Sequence, residues 1–282
     1  MNERIALVTG ANRGIGRAIA ENMARVDFRT VLVCRRRPDG ERAMEEIAAR
    51  TGNHSLEVMT ADFSSLAEVR RLADEAIERY PRLHVLVNNA ALAKKQRQES
   101  AEGIELTLAV NHVAPFELTR RLLPALQRGA PSRVVTVSSA AQRRKDIVFD
   151  DLQTVRRRYD GVRVYGETKL MNVLFTRELA RRMAGTGVTA TCCHPGVIAT
   201  DGLLDYLPAL LRPLVSAFAG TSAEGADTPS WLATSPEVTG QTGGYYIKRR
   251  LARPNRRAED PEIARRLWTE TELLASRGES RS

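Results

Sequence analysis

Tyr165 and Lys169 stand four residues apart in the stretch VYGETKL (164–170). On a helix that spacing puts both side chains on one face, so a phenol and an ammonium would reach one site. A free tyrosine titrates at about 10 and is a poor base at neutral pH. A nearby ammonium favours the phenolate and lowers that value. The pair therefore suits proton transfer to or from a reacting oxygen. Lysine is scarce, at Lys94, Lys95, Lys145, Lys169 and Lys248 only among 43 basic residues. Even so, a lone Tyr-x-x-x-Lys is weak evidence unless other parts of the chain require it.

A second constellation lies at the start. TGANRGIG (9–16) carries Gly10, Gly14 and Gly16, with Asn12, Arg13 and Ile15 between them. It follows an apolar run and precedes residues at helical spacing. Glycines let the backbone turn sharply and approach a ligand closely, and the helix N-terminus then offers N–H groups and a positive dipole end. In that strand-to-helix context the motif predicts dinucleotide binding. The next strand ends TVLVCRRR, with Arg35, Arg36 and Arg37 and no acid at 33–37. An acid there would hold the ribose hydroxyls of NAD, whereas an arginine fork grips a 2′-phosphate. Arg35, immediately after the strand end, is the favoured residue and Arg13 a second basic candidate. The expected cofactor is NADP(H).

Both constellations need a frame, and the chain supplies one. Apolar, β-branched runs at 4–10, 30–34, 55–62, 84–90, 132–139, 188–196 and 243–247 read as strands. Helical spacing recurs at 17–26, 41–50, 66–80, 103–126, 164–185, 222–234 and 260–276, the fifth of these carrying Tyr165 and Lys169. Strict alternation of the two predicts a single α/β domain over 1–282: a doubly wound Rossmann fold, its central parallel sheet flanked by helices. Segments 140–163 and 197–221 read as loops with short helices. The second, rich in Leu, Pro, Tyr and Phe, reads as a substrate lid or a core helix, and 259–282 as a C-terminal helix and tail.

Composition narrows the rest. The N-terminal apolar run is too short for a signal peptide or a membrane span, so a cytoplasmic protein with no integral membrane association is expected. Cys34, Cys192 and Cys193 have no metal-like spacing and read as reduced thiols. His54, His84, His112 and His194 form no zinc pattern, so no metal is expected. The net charge of +9 comes from dispersed arginines without interleaved aromatics. It reads as solvated surface with one local anion site rather than a nucleic-acid interface.

Several motifs occur together in order: TGANRGIG, ADFSS (61–65), NNA (88–90), NHVAPF (111–116), VSS (137–139), YGETK (165–169) and HPG (194–196). Jointly they resemble the short-chain dehydrogenase/reductase family, from residue 4 to about 247. FTRELARRM (175–183), GVTATCCHPG (187–196) and IARRLW (263–268) are similar to its retinol-dehydrogenase-type group, though no N-terminal anchor like that group's is expected here.

The resemblance implies roles. Tyr165 would be the acid/base, Lys169 its helper and Ser139 the substrate-orienting hydroxyl, with Asn111 supporting a water-linked proton path to Lys169. Gly10, Asn12, Arg13, Gly14, Ile15 and Gly16 would hold the cofactor with Arg35, Tyr165 and Lys169. Asp62 and Phe63 would border the adenine, and Asn89 with Ala90 would line the cofactor region. Pro195, Gly196, Val197 and Thr200 would face the nicotinamide. Two positions depart from the family pattern: Ala91 stands where glycine is usual after NNA, and Thr168 where serine is common.

The implied activity is interconversion of a carbonyl and an alcohol on a bulky, lipophilic small molecule, by a protein that could form homo-oligomers. Alternatives are a non-catalytic NADP(H)-sensing scaffold, or an epimerase or dehydratase on the same fold.

Overall fold

The computed structural model describes residues 3–196 and 220–277. Val197, Thr200 and nearly all of the expected lid lie outside the described residues. The strands are β1 (Arg4–Thr9), β2 (Phe28–Cys34), β3 (Leu56–Thr60), β4 (Val85–Asn88), β5 (Ser132–Val137), β6 (Val188–His194), β7 (Tyr245–Ile247) and β8 (Arg250–Leu251). They form one sheet in the order β3-β2-β1-β4-β5-β6-β7-β8. Every neighbouring pair is parallel except β7 with β8.

The strand runs are mostly apolar, with nearly every central residue buried, because the sheet is covered on both faces. In β1, Ala6 and Val8 point into one core and Ile5 and Leu7 into the other. The first core is closed by α1 (Gly14–Arg25), α2 (Arg37–Thr51) and α7 (Ser222–Thr234). The second is closed by α3 (Leu66–Arg79), α5 (Ala114–Arg128), α6 (Gly161–Arg182) and α8 (Pro261–Ser276). There Phe116 and Phe175 pack on Trp268 with ring centroids 4.8 and 5.9 Å away. Truncating such a buried aromatic to alanine costs about 3–5 kcal/mol. The cluster therefore fixes α6, which carries Tyr165 and Lys169, against its neighbours.

Two of the departures from the expected helix bounds have a cause in proline. α2 begins at Arg37 rather than at 41, because Pro38 fits a first helical turn, where its missing N–H is not needed. The expected helix over 103–126 is broken into α4 (Leu106–Leu108), a π-helical turn (Ala109–Val113) and α5. Pro115 contributes to the break. It lacks the N–H that an α-helix would direct at the carbonyl of Asn111, four residues earlier. β8 carries no periodic signal that would have exposed it.

Candidate active site

In doubly wound sheets a crevice opens beyond the strand carboxyl ends where strand order reverses. Here β1 lies between β2 and β4, and the glycine turn leaves the end of β1. Gly10 and Gly14 have φ of +67° and +56°, the left-handed region that glycine tolerates. A Cβ on Gly16 would sit 2.2 Å from the Gly10 carbonyl oxygen, so the turn closes only around glycine. A Cβ on Gly14 would meet nothing within 4 Å, so that side of the turn faces open space. Arg13 occupies the N-cap of α1 without a side-chain capping bond, and the first turn contains no acid. Its amides and positive dipole end are thus available to an anion. Asn12 and Ile15 are half-buried in the same turn.

Thr9 organises this corner, and sequence reasoning missed it. Its buried hydroxyl accepts from the amides of Asn89 (2.9 Å) and Ala90 (3.0 Å) and donates to the Val87 carbonyl. The Asn89 side chain returns a bond to the Thr9 carbonyl at 2.8 Å. The end of β4 is therefore laced to the glycine turn. The available signal was one polar residue closing an otherwise apolar run.

Arg35 is exposed just past β2, and among the described residues it makes no hydrogen bond or ion pair. Arg36 is paired with Asp39 at 3.0 Å, and Arg37 leans on the Val58 carbonyl and Glu41. Of the three arginines, only Arg35 keeps its donors uncommitted. Asp62 accepts from both the amide and the hydroxyl of Ser64, and Phe63 is buried beside it, so this segment is rigid at the end of β3. Pro195 and Gly196 follow β6 directly, Gly196 with φ of +98°.

Ser139, Tyr165 and Lys169 gather beyond β5. Asp160 starts α6 by accepting from the amides of Val162 and Arg163. Tyr165 then lies half-buried one turn in. Ser139 caps the short turn Ala140–Arg144 by accepting from the Ala141 amide. Lys169 is buried, with its amino group 5.4 Å from the Tyr165 ring centroid, and it donates to the Val137 carbonyl at 3.0 Å. Ser138, also missed from sequence, donates to the Lys169 carbonyl at 2.7 Å and braces α6 on β5.

The expected electrostatics of the pair are corrected here. Burial pushes the Tyr165 phenol above its ordinary value, with the neighbouring Ser139 acting the other way. Burial also pushes Lys169 down to about 8, with Cys193 acting the other way. The lysine turns toward Val137, so desolvation outweighs its charge at the phenol. A protonated phenol is a proton donor, which suits an oxygen that gains negative charge.

Asn111 sits in the π-helical turn, and such turns recur at functional sites. Both of its amide hydrogens are spent, on the Leu92 carbonyl (2.8 Å) and the Thr168 hydroxyl (3.2 Å), while its oxygen accepts from the Leu92 amide. Its side chain therefore ties the loop after β4 to α6. Pro115, four residues on, has no N–H to give the Asn111 carbonyl the usual α-helical bond. Asp151, although buried beside this region, caps a turn. It accepts from the amides of Val155, Arg156 and Arg157; despite burial, these bonds hold it at about 2.

Comparison with known proteins decides the family. The short chain dehydrogenase family model matches residues 4–206. The chain belongs to the short-chain dehydrogenase family. It is 38% identical to human retinol dehydrogenase 14, covering 97% of this chain and 87% of the relative. It is 40% identical to bovine dehydrogenase/reductase SDR family member 13, covering 98% and 74%. Among solved structures, it resembles an uncharacterized protein from Mycobacterium Paratuberculosis with a TM-score of 0.78 and 31% identity, covering 97% of this chain and 93% of that one. The Pseudomonas aeruginosa RhlG/NADP active-site complex matches with a TM-score of 0.68 and 27% identity, covering 86% and 93%. This short-chain dehydrogenase is thus an oxidoreductase of the retinol-dehydrogenase-like group. Among the described residues no helix is long and apolar enough to cross a membrane.

Proposed function

We propose that this short-chain dehydrogenase uses NADP(H) to interconvert a carbonyl and an alcohol on a bulky, largely apolar small molecule. The observation that carries the reading is the convergence of Ser139, Tyr165 and Lys169 at the carboxyl end of β5, two strands from the glycine turn at β1. The glycine turn suits a dinucleotide: it is closed around Gly16, open at Gly14 and followed by uncapped helix amides. The open donors of Arg35 support a 2′-phosphate, and hence NADP(H) over NAD(H). When bound, the cofactor supplies or accepts the hydride.

The chain's own groups do the remainder. Ser139 donates a hydrogen bond to the substrate oxygen and orients it. Tyr165, kept protonated by burial, gives its proton to that oxygen as charge develops, and takes it back in the reverse direction. Lys169 places a buried ammonium beside the phenol, limiting the cost of a transient phenolate. Asn111 holds the loop after β4 against α6, and its carbonyl serves a water that returns a proton toward Lys169. Asn89 and Thr9 keep the cofactor floor in register with the glycine turn.

The leucines and aromatic residues of 203–220 favour an apolar substrate. The test is a fluorescence titration with NADPH and NADH, followed by a panel of aldehydes and ketones. Preferential NADPH binding with its oxidation on a bulky carbonyl is expected. Equal affinity for both cofactors would remove the assignment of Arg35. Tight binding without turnover on any carbonyl would favour the sensing scaffold.

A further inference from the structure

At the opposite end of the sheet, where β1, β2, β4 and β5 begin, lies a cavity of about 350 Å³. Arg4, Arg82, Arg128 and Arg133 line it together with His84, and no Asp or Glu does. Arg4 opens β1 and Gly10 follows its far end, so about 20 Å of strand separates this cavity from the glycine turn.

The four guanidiniums are held by groups that do not neutralise them. Arg4 donates to the Val26 carbonyl at 2.6 Å and lies 4.4 Å over the Phe28 ring. Arg82 donates to the Arg128 carbonyl (2.9 Å) and Arg128 to the Pro81 carbonyl (2.7 Å). Arg133, half-buried, donates to the carbonyls of Leu232 (3.0 Å) and Ser235 (2.8 Å). Among the described residues none of the four is in an ion pair, whereas arginines elsewhere, such as Arg36 with Asp39 and Arg181 with Glu178, are paired.

Each guanidinium has about five N–H donors, so most donors around the cavity remain unspent. Like charges gathered around one hollow repel unless an anion joins them. The nearby field is felt: burial, then Arg82 and Arg4, push His84 below its ordinary value. Its Nδ1 accepts from the Ile5 amide at 3.0 Å.

We propose that this cavity is a second anion site, remote from the proton-transfer groups, that binds a phosphate-bearing molecule. Planar guanidinium forks match phosphate oxygens, and carbonyl anchors pre-orient them at little entropic cost. A free phosphorylated metabolite and the headgroup of an anionic phospholipid offer the same chemistry.

The test titrates pyrophosphate by calorimetry into the wild type, Arg128→Glu and the triple variant Arg4→Gln/Arg82→Gln/Arg128→Gln. Any pyrophosphate held at the glycine turn contributes equally in all three, so the difference belongs to the cavity. One equivalent of binding should weaken by about tenfold or more in both variants, with unchanged thermal midpoints in the absence of pyrophosphate. Pyrophosphate should also raise the pH at which the His84 ring titrates by NMR, in the wild type only.

A second arm uses vesicles of phosphatidylcholine with and without phosphatidic acid. Co-sedimentation that needs phosphatidic acid and is lost in Arg128→Glu assigns the site to a headgroup. Pyrophosphate binding without vesicle binding assigns it to a soluble phosphate. Identical titrations in all three proteins, with no vesicle difference, would overturn the proposal.

Discussion

Replacing Lys169 by methionine should make the protein more stable while removing its activity. Lys169 is 2% exposed, and among the described residues its ammonium donates one hydrogen bond, to the Val137 carbonyl at 3.0 Å. Burial moves it from 10.5 to about 8. At about 1.36 kcal/mol per unit, keeping it charged at neutral pH costs the folded state about 3 kcal/mol. Methionine fills similar volume without that cost, but leaves the Val137 carbonyl without its donor, a loss of about 1–2 kcal/mol. The net gain is about 1–2 kcal/mol, or about 2–4 °C in the midpoint of a chain this size.

The sign with pH follows from the depressed value. Below about 8 the wild type carries the whole penalty; between about 8 and 10.5 the unfolded chain holds more protons, so wild-type stability rises with pH. By about pH 9.5 about 2 kcal/mol should be recovered, and the advantage of Lys169→Met should vanish. Thermal unfolding of both proteins at about pH 7 and 9.5, with turnover assayed alongside, reads this directly. A variant less stable than the wild type at pH 7, or a gap that does not narrow with pH, would refute the view of Lys169 as a strained, functional charge.

Arg35→Ala should weaken NADPH by about tenfold or more and leave NADH nearly unchanged in fluorescence titration, since it removes a charge-assisted fork; equal losses would contradict the 2′-phosphate role. Gly16→Ala drives a Cβ to 2.2 Å from the Gly10 carbonyl oxygen and 2.5 Å from Asn89 Nδ2. It should cost about 1–3 kcal/mol by chemical denaturation and abolish cofactor binding; full binding would show a looser turn. Thr9→Val removes the acceptor of the Asn89 and Ala90 amides. It should cost about 2–4 kcal/mol, and hydrogen exchange at those two amides should rise well above that in β5.

The seven parallel strands were legible because each is a short, mostly apolar and β-branched run closed by glycine, proline or polar residues. Gly10, Gly14 and Gly16 were legible for a related reason: the turn they form admits no Cβ at Gly16. The Tyr165–Lys169 spacing correctly placed both on α6, but not their electrostatics. Nothing in VYGETKL says that Lys169 would be drawn to Val137, a contact across 32 residues of chain. Thr9, Ser138 and the anchoring of Asn111 to Leu92 were hidden likewise, since each depends on segments brought together only by the sheet. The π-helical turn is set by Pro115 acting on a residue four positions back, which helical periodicity does not register.

The measurement that bears most directly on the proposed chemistry is a single-turnover assay following NADPH oxidation on a bulky aldehyde, in the wild type and in Tyr165→Phe. Phenylalanine keeps the ring and removes only the hydroxyl whose proton is transferred. Loss of about 10²–10⁴-fold in rate is expected, with NADPH affinity unchanged. A Tyr165→Phe protein that turns over at the wild-type rate would contradict the assignment of Tyr165 as the proton donor, and with it the account of the site.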